Sequence, residues 1–263
     1  MKARTSVTVL ITALLFIARY AAAQGSLTPP GAPAPTMKTL EQVEPRIPIS
    51  DIPYNITTPG SYYVTSNLFA LVHGITISTN DVTVDLMGYT LNGDGAGGAD
   101  NGINIAGTVA VPLKRIKIMN GSIRGFYRGI QADDTNDSHF EKLAVGDNRA
   151  EGIFFDGQGT GGQCNGNTVM DCSLSSNGDN GIVFYAYNFG ACNGNSIRNC
   201  TVEGGTANGI QLNGRNGGHC DGNAVEGCTV TDAGSQGIRV YGYLGNCIGN
   251  FISDCTVSGC GDS

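Results

Sequence analysis

The residues best suited to chemistry in this chain recur at fixed offsets from a Gly-Ile step. That step stands at Gly74-Ile75, Gly102-Ile103, Gly129-Ile130, Gly152-Ile153, Gly181-Ile182, Gly209-Ile210 and Gly237-Ile238. A strand that follows each Ile sends its side chains alternately in and out, so positions one, three and five past the Ile face outward. Those columns read Phe154, Val183, Gln211, Arg239, then Asp156, Tyr185, Asn213, Tyr241, then Gln158, Tyr187, Arg215, Tyr243. Flat rings stack on sugar faces, while amides, guanidinium groups and carboxylates bond hydroxyls or uronates. Tyr185, Tyr187, Asn213, Arg215, Tyr241 and Tyr243 are therefore the expected glycan-binding strip. The competing expectation is a plain solvated β surface that happens to be populated by Tyr and Arg.

For catalysis the columns offer a lyase recipe. A lyase needs a strong base, and Arg215 and Arg239 are the candidates; Asp156 would be a ligand for a charge-neutralising Ca²⁺. No compact Asp/Glu cluster flanks them in the sequence. The stretch Gly93 to Gly102 (GDGAGGADNG) has the look of a Gly/Asp calcium loop, with Asp94 and Asp100 as ligands to test. It lacks the nine-residue period of a true calcium repeat, so a plain turn is the simpler expectation. No motif calls for another cofactor.

The element that must position these residues is a repeat. The intervals between Gly-Ile steps are 28, 27, 23, 29, 28 and 28 residues. A second marker travels with them in Asn167 to Leu174 (NTVMDCSL), Asn195 to Val202, Asn223 to Val230 and Asn250 to Val257. Each period holds three short apolar pieces, such as Ile182/Phe184, Ile197 and Val202, separated by Gly/Asn turns. Three strands per turn, each about 4.8 Å from its equivalent, describe a three-sided parallel β-helix of about seven rungs. A propeller blade needs a longer period, and the Leu spacing of leucine-rich repeats is missing.

With GITIS (74–78), VTVDLMGYTLNG (82–93), RIKIMNGSIRGFYRGI (115–130) and the Gly-Asn/Cys repeats, residues 50–260 resemble the pectin-lyase-like superfamily of right-handed parallel β-helices. Within it they are most similar to uncharacterised repeat proteins exported by bacteria. The resemblance implies an all-β fold and glycan contact on the first-strand face. It does not imply one activity, because the superfamily spans lyases, hydrolases, epimerases, phage tail spikes, adhesins and copper-site maturation proteins. Asp133-Asp134 resembles the polygalacturonase Asp-Asp pair, and Arg115-Ile-Lys117 a hydrolase tripeptide, but that family's Asn-Thr-Asp and Gly-His-Gly partners are absent. So is the Asp-Pro-His signature of mannuronan epimerases.

Eight of the nine cysteines form two columns, Cys164/Cys192/Cys220/Cys247 and Cys172/Cys200/Cys228/Cys255, with Cys260 left over. Equivalent positions one rung apart fall within disulfide reach. Three expectations stay open: free thiols packed as apolar groups in place of asparagine ladders, inter-rung disulfides, or a metal site with His219 nearby.

Composition bounds the rest. A net charge of −7 disfavours nucleic acid and anionic membranes as partners. Lys2 and Arg4, the apolar run Val7 to Ala18 and Ala21-Ala22-Ala23 predict a signal peptide over 1–23. A Pro-rich linker is expected over 24–36, an N-terminal cap over 37–73 and the β-helix over 74–263, cut short at its C-terminus because residues 256–263 align with 229–236. Further rungs or a capping partner would complete it. The expected protein is a secreted or periplasmic β-helix scaffold that contacts polysaccharide, without a membrane span in the mature chain. A polysaccharide lyase or related enzyme, and a purely structural or adhesive module, are the alternatives.

Overall fold

The computed structural model describes residues 46–95 and 98–261. The predicted signal peptide and linker, and the first part of the predicted cap, lie outside them. The seven Gly-Ile strands and one strand before them stack into one eight-stranded sheet: Tyr54–Ile56, Ile75–Ile77, Asn101–Ala106, Arg128–Asp133, Ile153–Asp156, Ile182–Tyr187, Ile210–Arg215 and Ile238–Tyr241. All seven of its pairings are parallel. The other two faces join in a 15-stranded sheet, because Ile116–Arg124 and His139–Gly146 each run unbroken around a corner. No helix occurs among the described residues. The chain is a parallel β-helix.

Register delivers the core. Ile75, Ile103, Ile130, Ile153, Ile182 and Ile210 form one buried interior row, and Ile238 continues it on the last rung. Ile118, Phe140, Val169, Ile197 and Val225 form a second row, and Ile123, Val145, Leu174, Val202 and Val230 a third. Phe155 and Phe184 stack inside at 4.3 Å between centroids. Each fully buried Ile contributes roughly 1.5–3 kcal/mol relative to exposure.

The glycine of each step is dictated by contact. A Cβ at Gly181 would collide with Val202 Cγ1 and lie 2.6 Å from Gly209 O in the next rung. Gly209 meets Val230 and Gly237 O in the same way. Only glycine lets the third face close against the first.

Asparagines supply a polar spine that the sequence reading did not assign. Asn167, Asn195, Asn223 and Asn250 chain together through Nδ2–H donation to the next Oδ1 at 3.2, 3.0 and 3.0 Å. Each Oδ1 also accepts the backbone N–H of the preceding rung's asparagine at 2.8 Å. At another corner Asn148 Nδ2–H donates to Asn177 Oδ1, and Asn208 Nδ2–H donates back to Asn180 Oδ1. The thiols therefore do not replace asparagine ladders; both occupy the interior, and all nine cysteines are free. Cys164, Cys172, Cys192, Cys200, Cys220 and Cys228 are buried.

Two local departures bear on the site. Tyr54–Ile56 and Gly60–Val64, on either side of Pro59, belong to different sheets and do not pair with each other. The 23-residue interval arises at one corner: five residues (134–138) join Arg128–Asp133 to His139–Gly146, where eleven (157–167) do so in the next rung. The longer corners on either side approach each other at Val109 and Gly161, across the short one.

Candidate functional site

The outer face of the eight-stranded sheet carries the site. Its columns follow the register: Asp133, Asp156, Tyr185, Asn213 and Tyr241 are successive partners, and Tyr187 partners Arg215. Tyr185 and Tyr187 stack at 5.7 Å, Tyr241 and Tyr243 at 6.3 Å. The Arg215 guanidinium lies 6.0 Å from the Tyr187 ring and 5.9 Å from the Tyr243 ring, bridging the two tyrosine pairs. Arg239 sits over Tyr241 at 4.2 Å. The predicted strip is thus one physical ladder of rings and guanidinium groups. Asn213 departs from the expected exposed position: it is buried, as are Phe154, Val183 and Gln211.

Beside the ladder, where the short corner is, lies an open trough of about 530 Å³ lined by Asn101, Asn104, Tyr127, Arg128, Asp133 and Asp156 among others. A second hollow of about 500 Å³ shares Arg128, Asp156 and Gln158 and continues to Tyr185 and Asn213. A relay of side chains sets the trough floor. Arg128 pairs with Glu151 at 2.5 Å and donates to Gln131 Oε1 at 2.8 Å, and Gln131 Nε2–H donates in turn to Asp133 Oδ1. The same guanidinium lies 4.2 Å over Phe154. Three polar atoms here are buried without a protein partner: Asn101 Oδ1, Asp156 Oδ1 and Asn213 Oδ1. Buried polar atoms are normally satisfied, so three orphans on one face mark a surface that a polar ligand would complete.

Electrostatics reinforce the asymmetry. Burial, together with the neighbouring Asp133 carboxylate, pushes Asp156 up to about 7. Burial also raises Asp133, and its Gln131 hydrogen bond works against the rise. Asp134, Asp133's neighbour in sequence, has another job: its Oδ1 accepts the Gln163 N–H at 2.7 Å and fixes the adjoining corner.

Other predicted residues fall elsewhere. Arg115 is engaged with Asp81 at 2.5 and 2.8 Å, and Lys117 with Glu141 at 2.9 Å, so the Arg115-Ile-Lys117 tripeptide serves exposed ion pairs. Among the described residues neither Arg215 nor Arg239 forms an ion pair. Asp94 is exposed and Asp100 half-buried in a loop of which residues 96 and 97 lie outside the description. The trough was findable: Asp133 stands three residues past Ile130 as Asp156 does past Ile153, so extending the column rule one rung upward brings the pair together.

The chain is similar to three solved β-helical structures at low identity. Geobacillus virus E2 ORF18 is 12% identical, with TM-score 0.41, over 76% of this chain and 54% of that one. The Azotobacter vinelandii mannuronan C-5 epimerase AlgE6 A-module is 12% identical, with TM-score 0.31, over 81% and 90%. The Dettilon tailspike protein (gp208) is 14% identical, with TM-score 0.33, over 79% and 61%. The chain thus spans about half the length of the viral protein named first. No curated protein matches it. A family model described as periplasmic copper-binding protein (NosD) matches residues 72–262.

Copper is a test of the donor set. Among the described residues no three His, Cys, Asp or Glu side chains converge as a metal-binding group. The thiols face the interior and donate to carbonyl oxygens, as Cys164 does to Ala132 O at 3.4 Å and Cys172 to Met170 O at 3.2 Å. Burial raises Cys192 above the ordinary thiol range, which disfavours the thiolate that soft metals require. The residues described do not fit a resident copper ion. Their fold and the extent of the family match nonetheless settle kinship: with residues 72–262 covered, this chain belongs to the NosD family of periplasmic proteins.

Proposed function

We propose that this protein is a periplasmic β-helix that holds a segment of polysaccharide along the outer face of its eight-stranded sheet. The observation that carries the reading is the continuity of two surfaces. The ring-and-guanidinium ladder of Tyr185, Tyr187, Arg215, Tyr241 and Tyr243 runs into two adjoining hollows where Asp156, Asn101 and Asn213 each keep an unpartnered oxygen. Rings supply stacking area for pyranose faces, and the orphaned oxygens supply acceptors for hydroxyl donors. Extended polymers suit such a surface because successive rungs present side chains at a regular spacing along it. The reading includes a signal peptide over 1–23 that delivers the chain to the periplasm and a linker over 24–36 ahead of the β-helix.

The test is affinity electrophoresis and a glycan array, run with the wild-type chain and with Tyr185→Ala/Tyr241→Ala. Wild-type retardation by at least one polysaccharide, weakened about tenfold or more in the double variant, is the expected result. Absence of binding across the array, or binding indifferent to both tyrosines, rejects it.

A further inference from the structure

We propose that Asp133 and Asp156 are a catalytic carboxyl pair that hydrolyses a glycosidic bond of an uncharged glycan lying in the trough. The inference rests on the glycan-binding reading above and adds a reaction to it. Partners in register on adjacent parallel strands lie about 4.8 Å apart, and both side chains leave the same outer face. Carboxyls carried in register at that backbone spacing can reach the ~5–5.5 Å separation of double-displacement glycosidases.

The two carboxyls sit in unlike settings. Asp133 is held as an acceptor: Gln131 donates to it, and Arg128 and Glu151 lock that amide from behind. Asp156 receives hydrogen bonds from Gln158, its Nε2–H on Oδ2 at 2.9 Å among them, while its buried Oδ1 has no partner. A carboxyl with a free, buried oxygen is the one placed to carry a proton to a ligand. Its setting agrees: the groups facing Asp156 are Asp133, Asp134 and Arg128 from one side, Tyr185 from the other and the Cys192 thiol beneath. Burial and the two acidic neighbours outweigh Arg128 and hold Asp156 protonated up to about pH 7. Two carboxyls whose environments separate their roles make an acid and a nucleophile.

The chemistry balances without a redox partner. In the first step the Asp156 proton passes to the glycosidic oxygen, the C1–O bond breaks and the leaving sugar departs as an alcohol. An Asp133 oxygen forms an ester bond to C1. In the second step Asp156, now ionised, takes a proton from water as the water oxygen attacks C1. The C1–Asp133 bond then breaks, restoring both carboxyls. An uncharged glycan is specified because a uronate would meet Asp133, Asp134, Glu151 and Asp179 across the two hollows.

The experiment measures new reducing ends and, separately, binding by affinity electrophoresis, using β-glucan, xylan, galactomannan and dextran as uncharged probes and pectate and alginate as uronate controls. Hydrolysis of an uncharged probe is expected, falling as pH rises through about 7 as Asp156 ionises. Asp156→Asn and Asp133→Asn should each lower kcat by about 10²–10⁴-fold while binding and the far-UV spectrum persist. The wild-type pH profile tests the same claim without any variant. Binding with no new reducing ends, or turnover that survives both substitutions, overturns the carboxyl pair and leaves the glycan face standing. Loss of binding to every probe removes the glycan face itself.

Discussion

Replacing Asn195 by alanine tests whether the asparagine spine holds the rungs together. In the native chain its Nδ2 donates to Cys164 O at 2.9 Å and to Asn223 Oδ1 at 3.0 Å. Its Oδ1 accepts Asn167 N–H at 2.8 Å and Asn167 Nδ2–H at 3.2 Å. Two of those four partners keep other bonds, since Asn167 Nδ2 still reaches Thr135 O and Asn223 Oδ1 still accepts the Asn195 backbone N–H. The Asn167 N–H and the Cys164 carbonyl lose theirs in a buried setting. Each orphaned group costs about 1–3 kcal/mol, so Asn195→Ala should lose about 2–6 kcal/mol of stability. Asn223→Ala is the internal control: its Nδ2 reaches Cys220 Sγ and Asn250 Oδ1, so it orphans chiefly the Asn195 N–H and should cost about half as much. Denaturant unfolding followed by far-UV circular dichroism reads both, at unchanged slope. A loss below about 1 kcal/mol for Asn195→Ala, or a larger loss for Asn223→Ala, refutes the accounting.

Three further outcomes follow from the same geometry. Gly181→Ala drives a methyl against Val202 and the Gly209 carbonyl, and thermal melts should show a destabilisation of about 1–3 kcal/mol. Because folding raises the Asp156 pKa from about 3.9 to about 7, the folded state binds the extra proton and stability falls as pH rises between those values. Asp156→Asn should therefore match wild type at pH 4 and exceed it at pH 8; the full shift is worth about 4 kcal/mol, and partial water access reduces the expected gain to about 2. Urea melts at the two pH values decide. Maleimide labelling of the native protein should modify only the half-buried Cys247, Cys255 and Cys260, and denaturation should release all nine thiols; rapid native labelling of Cys192 would contradict its burial.

The architecture was legible because it is written as a period. Gly-Ile steps and the Asn/Cys marker give register directly, and register places Ile182, Ile210 and Ile238 in one row and the tyrosines on one face. What the period hid was whatever departed from it. The rung at Tyr54–Ile56 has no Gly-Ile step to announce it. The trough owes its shape to a corner of five residues, visible only as an odd interval. Alternation alone does not encode the burial of Val183 and Asn213 on an outward face. The asparagines were in plain view, but an Asn in a Gly/Asn turn reads equally as a solvated loop residue until its amide is seen to point inward.

Each later rung touches chiefly the one before and the one after, at an offset of 27 to 29 residues that hydrogen bonds, glycines and thiols all share. Length is consequently a dial rather than a design. Excising or duplicating one whole turn, such as residues 182–209, joins ends that already match, lengthening or shortening the face a polymer could lie on while every local contact is reproduced. A lineage built this way can adjust reach by copying, and reserve point mutation for the single irregular corner where its chemistry would be set.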